Sequence, residues 1–170
     1  WIPAQSKINS DRKFKFFKTH NAMCIINGNQ FTDKHNTAAV IYVVRDPRNV
    51  ITSIANHYEL SLSEAFNFFT NKRKIIFAKE GHIASDVEKG NVHFVGDWLD
   101  HYKSWTNVNF APVLVVKYED LISNAEDTFA SILNFLGNIM SVKYEKQKVK
   151  TAINTTNFDV LKKNEKKYGF

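Results

Sequence analysis

The stretch Ala38-Ala39-Val40-Ile41-Tyr42-Val43-Val44-Arg45-Asp46-Pro47-Arg48-Asn49-Val50-Ile51-Thr52-Ser53 passes from an unbroken apolar run straight into a helix start. Branched and aromatic residues without polar alternation describe a strand covered on both faces, as in a parallel sheet. Asp46 is an N-cap type, and Pro47 at the first helical position has no N–H to leave unsatisfied. The pattern predicts a strand over Ala38 to Val44 and, after the Asp46 cap, a helix from Pro47 to about Tyr58.

Two more segments read as strands, Lys13 to Lys18 and Pro112 to Lys117. Helical signals separate them. Ser61 with Glu64 fits a capping box and opens a helix carrying Ala65, Phe66 and Phe69 on one face. Ser123 with Glu126 repeats that signature, and Phe129, Ile132, Leu133 and Leu136 follow at helical spacing until Gly137, which predicts the stop. Trp98, Tyr102 and Trp105 share one face of a further helix. Strands alternating with helices predict an α/β fold, a parallel sheet with flanking helices and right-handed crossovers.

The 170 residues suit one domain, 1–170, with no repeat, heptad pattern or Gly/Ser linker. With 44% hydrophobic and 14% aromatic residues, general disorder is excluded. The net charge of +6 is lopsided: residues 141 to 170 hold eight Lys against Glu145, Asp159 and Glu165. The nearly neutral remainder argues against a nucleic-acid partner. No apolar run reaches the roughly 20 residues of a membrane helix, so no membrane span is expected. The single Cys24 can build neither an internal disulfide nor a cysteine zinc site, and a cytoplasmic setting is expected. His35, His57, His82 and His93 show no metal-ligand spacing. Nothing in the sequence sets the oligomeric state.

In open α/β sheets ligands bind at the carboxyl ends of strands. Those ends carry Lys18-Thr19-His20, Arg45-Asp46-Pro47-Arg48 and Tyr118-Glu119-Asp120. A phosphate ligand would explain the first two, Arg as a planar fork and Lys as a mobile point charge. Ser53 lies two helical turns beyond Pro47, where its hydroxyl can serve the same anion as Arg45. Asp46 is expected to occupy the N–H groups of the helix start, which leaves the phosphate to side chains. Taken alone, a strand-end His is usually a surface or hydrogen-bonded residue, and Arg45 can pair with a carboxylate at the sheet edge.

Five blocks in one order change that weighting. Val43 to Ser53 resembles the 3′-phosphate-binding strand-turn-helix of the cytosolic-type sulfotransferases, with Arg45 and Ser53 at the family's spacing. Phe17-Lys18-Thr19-His20 resembles the Lys-Thr-His strand end whose His is the catalytic base. Gly96-Asp97-Trp98-Leu99-Asp100-His101 is similar to the Gly-Ser-Trp-x-x-His segment, and Lys117-Tyr118-Glu119-Asp120-Leu121 to the Tyr-Glu-Asp strand end. Asn157-Phe158-Asp159-Val160-Leu161-Lys162-Lys163-Asn164 is similar to the Ser-Phe-x-x-Met-Lys-Lys-Asn stretch near the adenine site.

The resemblance implies a P-loop NTPase-like sulfotransferase fold and an enzyme that moves a sulfuryl group from 3′-phosphoadenosine 5′-phosphosulfate (PAPS) to a hydroxyl or amine of a small-molecule acceptor, without a metal. It implies His20 as general base and Lys18 as stabiliser of charge at the phosphosulfate. Arg45, Ser53, Tyr118, Thr156 and Phe158 become nucleotide contacts, and His101 an acceptor contact beside the Trp98 and Trp105 stripe. The acceptor pocket is expected in the loops Asn21 to Asn36 and Ile75 to Val95. Two family features have no counterpart here, the Pro-Lys-Ser-Gly-Thr-Thr-Trp loop that cradles the phosphosulfate and the Arg-Lys-Gly loop that completes the 3′-phosphate site. The resemblance therefore implies a domain truncated at both ends and, taken alone, inactive. The competing readings are a P-loop-type nucleotide or small-molecule kinase, which would need a Gly-rich Lys-Ser/Thr loop and a magnesium-binding carboxylate, and a non-catalytic nucleotide-binding module, for which a base at position 20 would be superfluous.

Overall fold

The computed structural model describes residues 1–11, 13–77 and 92–169, divided between a unit up to Val115 and a unit from Val116 onward. In the first unit, helix α1 (Ile2–Ile8) precedes a small antiparallel hairpin, β1 (Ile25–Ile26) and β2 (Asn29–Gln30). Asn27 and Gly28 turn it with φ of 51° and 77°. Two consecutive positive φ values are what a two-residue type I′ turn requires, and Asn-Gly meets that need at least cost.

Strand β3 (Val40–Val44) pairs with β6 (Val113–Lys117) in a two-stranded parallel sheet, and the Val40 N–H donates to the Pro112 carbonyl at 3.0 Å. Helix α2 (Pro47–His57) follows β3 through Arg45 and Asp46 as the sequence predicts. The Asp46 carboxylate accepts from the Arg48 N–H at 2.9 Å, which caps the helix. Helix α3 (Leu62–Phe69) opens on the expected capping box, Ser61 and Glu64 each satisfying the other's backbone N–H. The two helices pack against each other, and Ala55 of α2 and Ala65 of α3 are their buried residues. Strands β4 (Ile75–Phe77) and β5 (Val92–Phe94) pair antiparallel with Ile76 opposite His93. Helix α4 (Trp98–Thr106) then places Trp105, 5% exposed, in the core.

Between β5 and α4 the chain turns at Gly96, with φ +67° and Lys72 O at 3.4 Å from where a Cβ would stand. The Val95 and Gly96 N–H groups both donate to the Lys74 carbonyl. A side chain at 96 would be strained by the positive φ, whatever the space around it.

In the second unit, α5 (Tyr118–Ser123), α6 (Ala125–Met140), α7 (Lys146–Thr155) and α8 (Phe158–Tyr168) follow one another. Lys150 of α7 lies 3.4 Å from Glu126 of α6. Val149 is the buried contact of α7.

Four expectations are corrected. Residues Lys13 to Lys18 form no strand. Their Lys/Phe alternation has the period of a sheet face, but among the described residues no strand pairs with them, and Phe14, Phe16 and Phe17 are exposed at 53%, 70% and 67%. Ser123 does not cap α6. It closes α5 with its hydroxyl bonded to the Glu119 carbonyl at 2.9 Å, and Asn124 takes the N-cap position without a side-chain bond. Gly137 does not end α6, which continues to Met140 and stops at Ser141 in the left-handed conformation, φ 55°. The glycine is needed because the chain folds back on it: the Val142 N–H donates to the Gly137 carbonyl, and the Val142 oxygen lies 2.6 Å from where a Cβ would be. Finally, the loops expected over Asn21 to Asn36 and Ile75 to Val95 contain the β1–β2 hairpin and the β4–β5 ladder; residues 78–91 of the second, His82 among them, lie outside the described residues.

Candidate active site

His20 sits on extended chain that is held by hydrogen bonds instead of a ladder. Its neighbour Asn21, 6% exposed, is the fastener. The Asn21 Oδ1 accepts from the Phe94 N–H at 2.8 Å, and the Asn21 carbonyl accepts from the Trp105 indole N–H at 2.9 Å. The Asn21 N–H donates to the Thr19 hydroxyl at 3.0 Å, and the amide Nδ2 lies 3.4 Å from His93 Nδ1. One residue on, the Ala22 N–H donates to the Phe94 carbonyl, and the Met23 N–H donates to Ser104 Oγ at 3.0 Å. Segment 19–23 is thereby tied to both β5 and α4.

Three imidazoles gather there. The His20 ring meets the His93 ring edge to face, 5.4 Å between centroids. His101 of α4 places Nε2 3.3 Å from the His20 backbone carbonyl and Nδ1 2.9 Å from the Tyr42 hydroxyl of β3. Burial pushes the His20 imidazole below its usual range, and the positive charges of Lys18 and His93 push it the same way. Burial also lowers His101; its hydrogen bond to the His20 carbonyl opposes the shift and charge on His20 adds to it. Tyr42 is pushed up to about 12, first by burial and then by Tyr102. At neutral pH the cluster therefore holds two histidines biased toward the neutral form, able to accept a proton, and a phenol that stays protonated. Lys18 is exposed beside His20, close enough for its charge to be felt.

Arg45 stands exposed at the carboxyl end of β3, and Ser53 exposed on α2. The N-terminus of α2 is occupied as expected: Asp46 takes the Arg48 N–H and also the Arg48 guanidinium, which holds its carboxyl at about 2. An anion at this end of the sheet therefore meets side chains before it meets helix N–H groups.

The remaining sequence candidates lie in the second unit. Tyr118 opens α5 and Phe158 opens α8, the latter 74% exposed with Lys162 Nζ 5.6 Å from its ring centroid. Thr156 caps α7, and its hydroxyl donates to the Ala152 carbonyl at 2.7 Å.

Asn21, Tyr42 and His93 were not singled out by the sequence. Tyr42 is one residue of an apolar run, and only its contact with a residue 59 positions away gives it a polar task. Asn21 follows His20 directly, and an amide next to a candidate base was the available signal.

A family model described as the sulfotransferase domain matches residues 4–168. Sulfotransferase 2A1 of Rattus norvegicus is 27% identical over 155 residues, 89% of this chain and 47% of the relative. The 3-beta-hydroxysteroid sulfotransferase of Cavia porcellus is 27% identical over 176 residues, 97% of this chain and 53% of its own length. The chain thus spans about half the length of the curated relatives it matches. Among solved structures, mouse sulfotransferase SULT7A1 complexed with PAP superposes with a TM-score of 0.52 at 20% identity, covering 77% of this chain and 42% of that one. Among the described residues, no helix is long and apolar enough to cross a membrane.

Proposed function

The chain belongs to the sulfotransferase-domain family, and from that premise we propose that it transfers a sulfuryl group from PAPS to a hydroxyl or amine of a small-molecule acceptor, with His20 as general base. The observation that carries this reading is the mounting of His20. Its backbone is fixed by the bonds of Asn21 and His101, and burial and neighbouring charge bias its ring toward the neutral, proton-accepting form.

As the acceptor oxygen forms its bond to sulfur, His20 takes the acceptor's proton. The bond between sulfur and the 5′-phosphate oxygen breaks, and adenosine 3′,5′-bisphosphate leaves. Lys18 stabilises the charge that builds on the departing phosphate, a contribution that needs only preorganised charge at the right place. Arg45 and Ser53 bind the 3′-phosphate, the guanidinium by two parallel bonds. Following the family pattern, Tyr118, Thr156 and Phe158 contribute nucleotide contacts. Relatives named for hydroxysteroids make a hydroxysteroid the first acceptor to try. The 170 residues are part of one sulfotransferase domain, since they span about half of each relative compared.

The test is made on the protein at its full natural length, by calorimetric binding of adenosine 3′,5′-bisphosphate and ATP and by transfer of radiolabelled sulfate from PAPS to a hydroxysteroid, a phenol and an amine. Tighter binding of the 3′-phosphate nucleotide and transfer to one acceptor are expected. His20→Ala is expected to lower kcat by roughly 10²- to 10⁴-fold, the usual worth of a general base, without weakening nucleotide binding. Arg45→Ala should weaken that binding about 10- to 100-fold, as loss of charge-assisted bonds does. A preference for ATP, or near-normal turnover without His20, defeats the reading.

A further inference from the structure

His101 has neither ring nitrogen to spare. A backbone carbonyl only accepts, so the Nε2 that lies 3.3 Å from the His20 carbonyl must carry the proton. Nδ1 is then a bare acceptor, and the Tyr42 hydroxyl 2.9 Å away must donate to it. The tilted packing of the Tyr42 and His101 rings, 5.7 Å between centroids, and the Tyr42–Tyr102 contact at 5.9 Å fix both partners further. The chain of donors runs one way: Tyr42 O–H to His101 Nδ1, His101 Nε2–H to the His20 carbonyl. On its other side His20 is followed by Asn21, whose backbone and side chain are bonded to Trp105 and Phe94. The carbonyl of the peptide group joining His20 to Asn21 is thus held from α4, and the Asn21 side chain that follows it is held from β5, while His20 itself remains exposed.

We propose that His101, with its tautomer set by Tyr42, is a positioning residue that clamps the His20 backbone and so aims the imidazole of the base, and is not itself a contact of the acceptor. The kinetic part of this inference rests on the sulfotransferase reading; the structural part does not. A ring fully engaged with a tyrosine and a carbonyl has no further hydrogen-bonding capacity for a substrate. Small misplacement of a catalytic group is costly, on the order of 100-fold for about 1 Å.

The inference is tested in two ways on the full-length protein. Nitrogen-15 spectra of histidine-labelled wild type near neutral pH report the tautomer with no substitution needed. A bare Nδ1 and a protonated Nε2 at His101 are expected, with both tautomers appearing in Tyr42→Phe; a ring protonated at Nδ1 overturns the clamp. In steady-state kinetics, His101→Ala should lower kcat by roughly 10- to 100-fold and leave the acceptor KM within about twofold, because the lost bond is to the base and not to substrate. His101→Gln keeps an amide N–H where Nε2–H stands and should recover most of that loss. A loss that falls on the acceptor KM, or a Gln variant no better than Ala, overturns the proposal. If the wild type transfers no sulfuryl group, the sulfotransferase reading fails, and the tautomer spectrum still decides the clamp.

Discussion

Replacing Asn21 by Ala should both destabilise the first unit and release the segment that carries His20. The buried carboxamide oxygen is the acceptor for the Phe94 N–H at 2.8 Å. Without it that donor is stranded beside a half-buried strand, at a cost of about 1–3 kcal/mol. The amide nitrogen's contacts to Thr19 Oγ1 at 3.3 Å and His93 Nδ1 at 3.4 Å are long, and together they add about 0.5–1 kcal/mol. The backbone bonds of residue 21 to Thr19 and Trp105 survive the change, so nothing more is lost. A total of about 1.5–4 kcal/mol corresponds to a fall in Tm of roughly 3–16 °C for a chain of this length. Thermal unfolding followed by tryptophan fluorescence is the direct assay, since Trp105 reports on the same contact. Thr19→Val is the calibrating variant: it removes the hydroxyl that accepts from both the Asn21 N–H and its amide nitrogen, and should cost about 1 kcal/mol. If Asn21→Ala melts within about 2 °C of wild type, the Phe94 N–H has found another partner and Asn21 is not the fastener of this segment.

Two further outcomes follow from the same physics. His20 and His101 both have imidazoles held below the ordinary value in the folded protein, so between their folded values and about 6.5 the unfolded chain binds more protons. Their contribution to stability is complete above about pH 6.5 and is lost as pH falls through the folded values; urea midpoints at pH 7.5 and 5.5 should drop in that order, with a smaller drop in His101→Gln, and greater stability at the acid pH would contradict the assignment. Ser61→Ala breaks the capping box of α3 at a cost of about 1 kcal/mol, or roughly 2–4 °C, while Ser61→Asp keeps an acceptor for the Glu64 N–H and should melt near wild type.

What could be read beforehand was whatever is encoded locally. Asp46-Pro47 marked the start of α2 and Ser61 with Glu64 the start of α3, because a cap and its partner lie within three residues. The apolar runs at 40–44 and 113–117 announced their strands by composition alone. Alternation at Lys13 to Lys18 misled because it describes a face and says nothing of whether a partner strand exists to complete the ladder. Asn27-Gly28 after the apolar pair Ile25-Ile26 was a hairpin signal of the ordinary kind, and the turn it makes needs both positive φ values. For the candidate site, strand-end reasoning reached Lys18, His20 and Arg45 through short, charged, sequence-adjacent groups. It did not reach the supports of His20. Tyr42 and Asn21 take their roles from bonds spanning 59 and 84 residues, and no window on the chain holds both ends of such a bond.

The fold-back at Gly137 couples a steric choice to an electrostatic one. With a hydrogen in place of a methyl at that position, the carbonyl of Val142 can close on α6, and the chain leaves in the direction that brings Lys150 of α7 to Glu126. All eight lysines of residues 141 to 170 lie downstream of that reversal. A single hydrogen in the second unit therefore sets the course along which its largest concentration of positive charge is carried, and a substitution that alters no charge at all would redraw the field of this part of the protein.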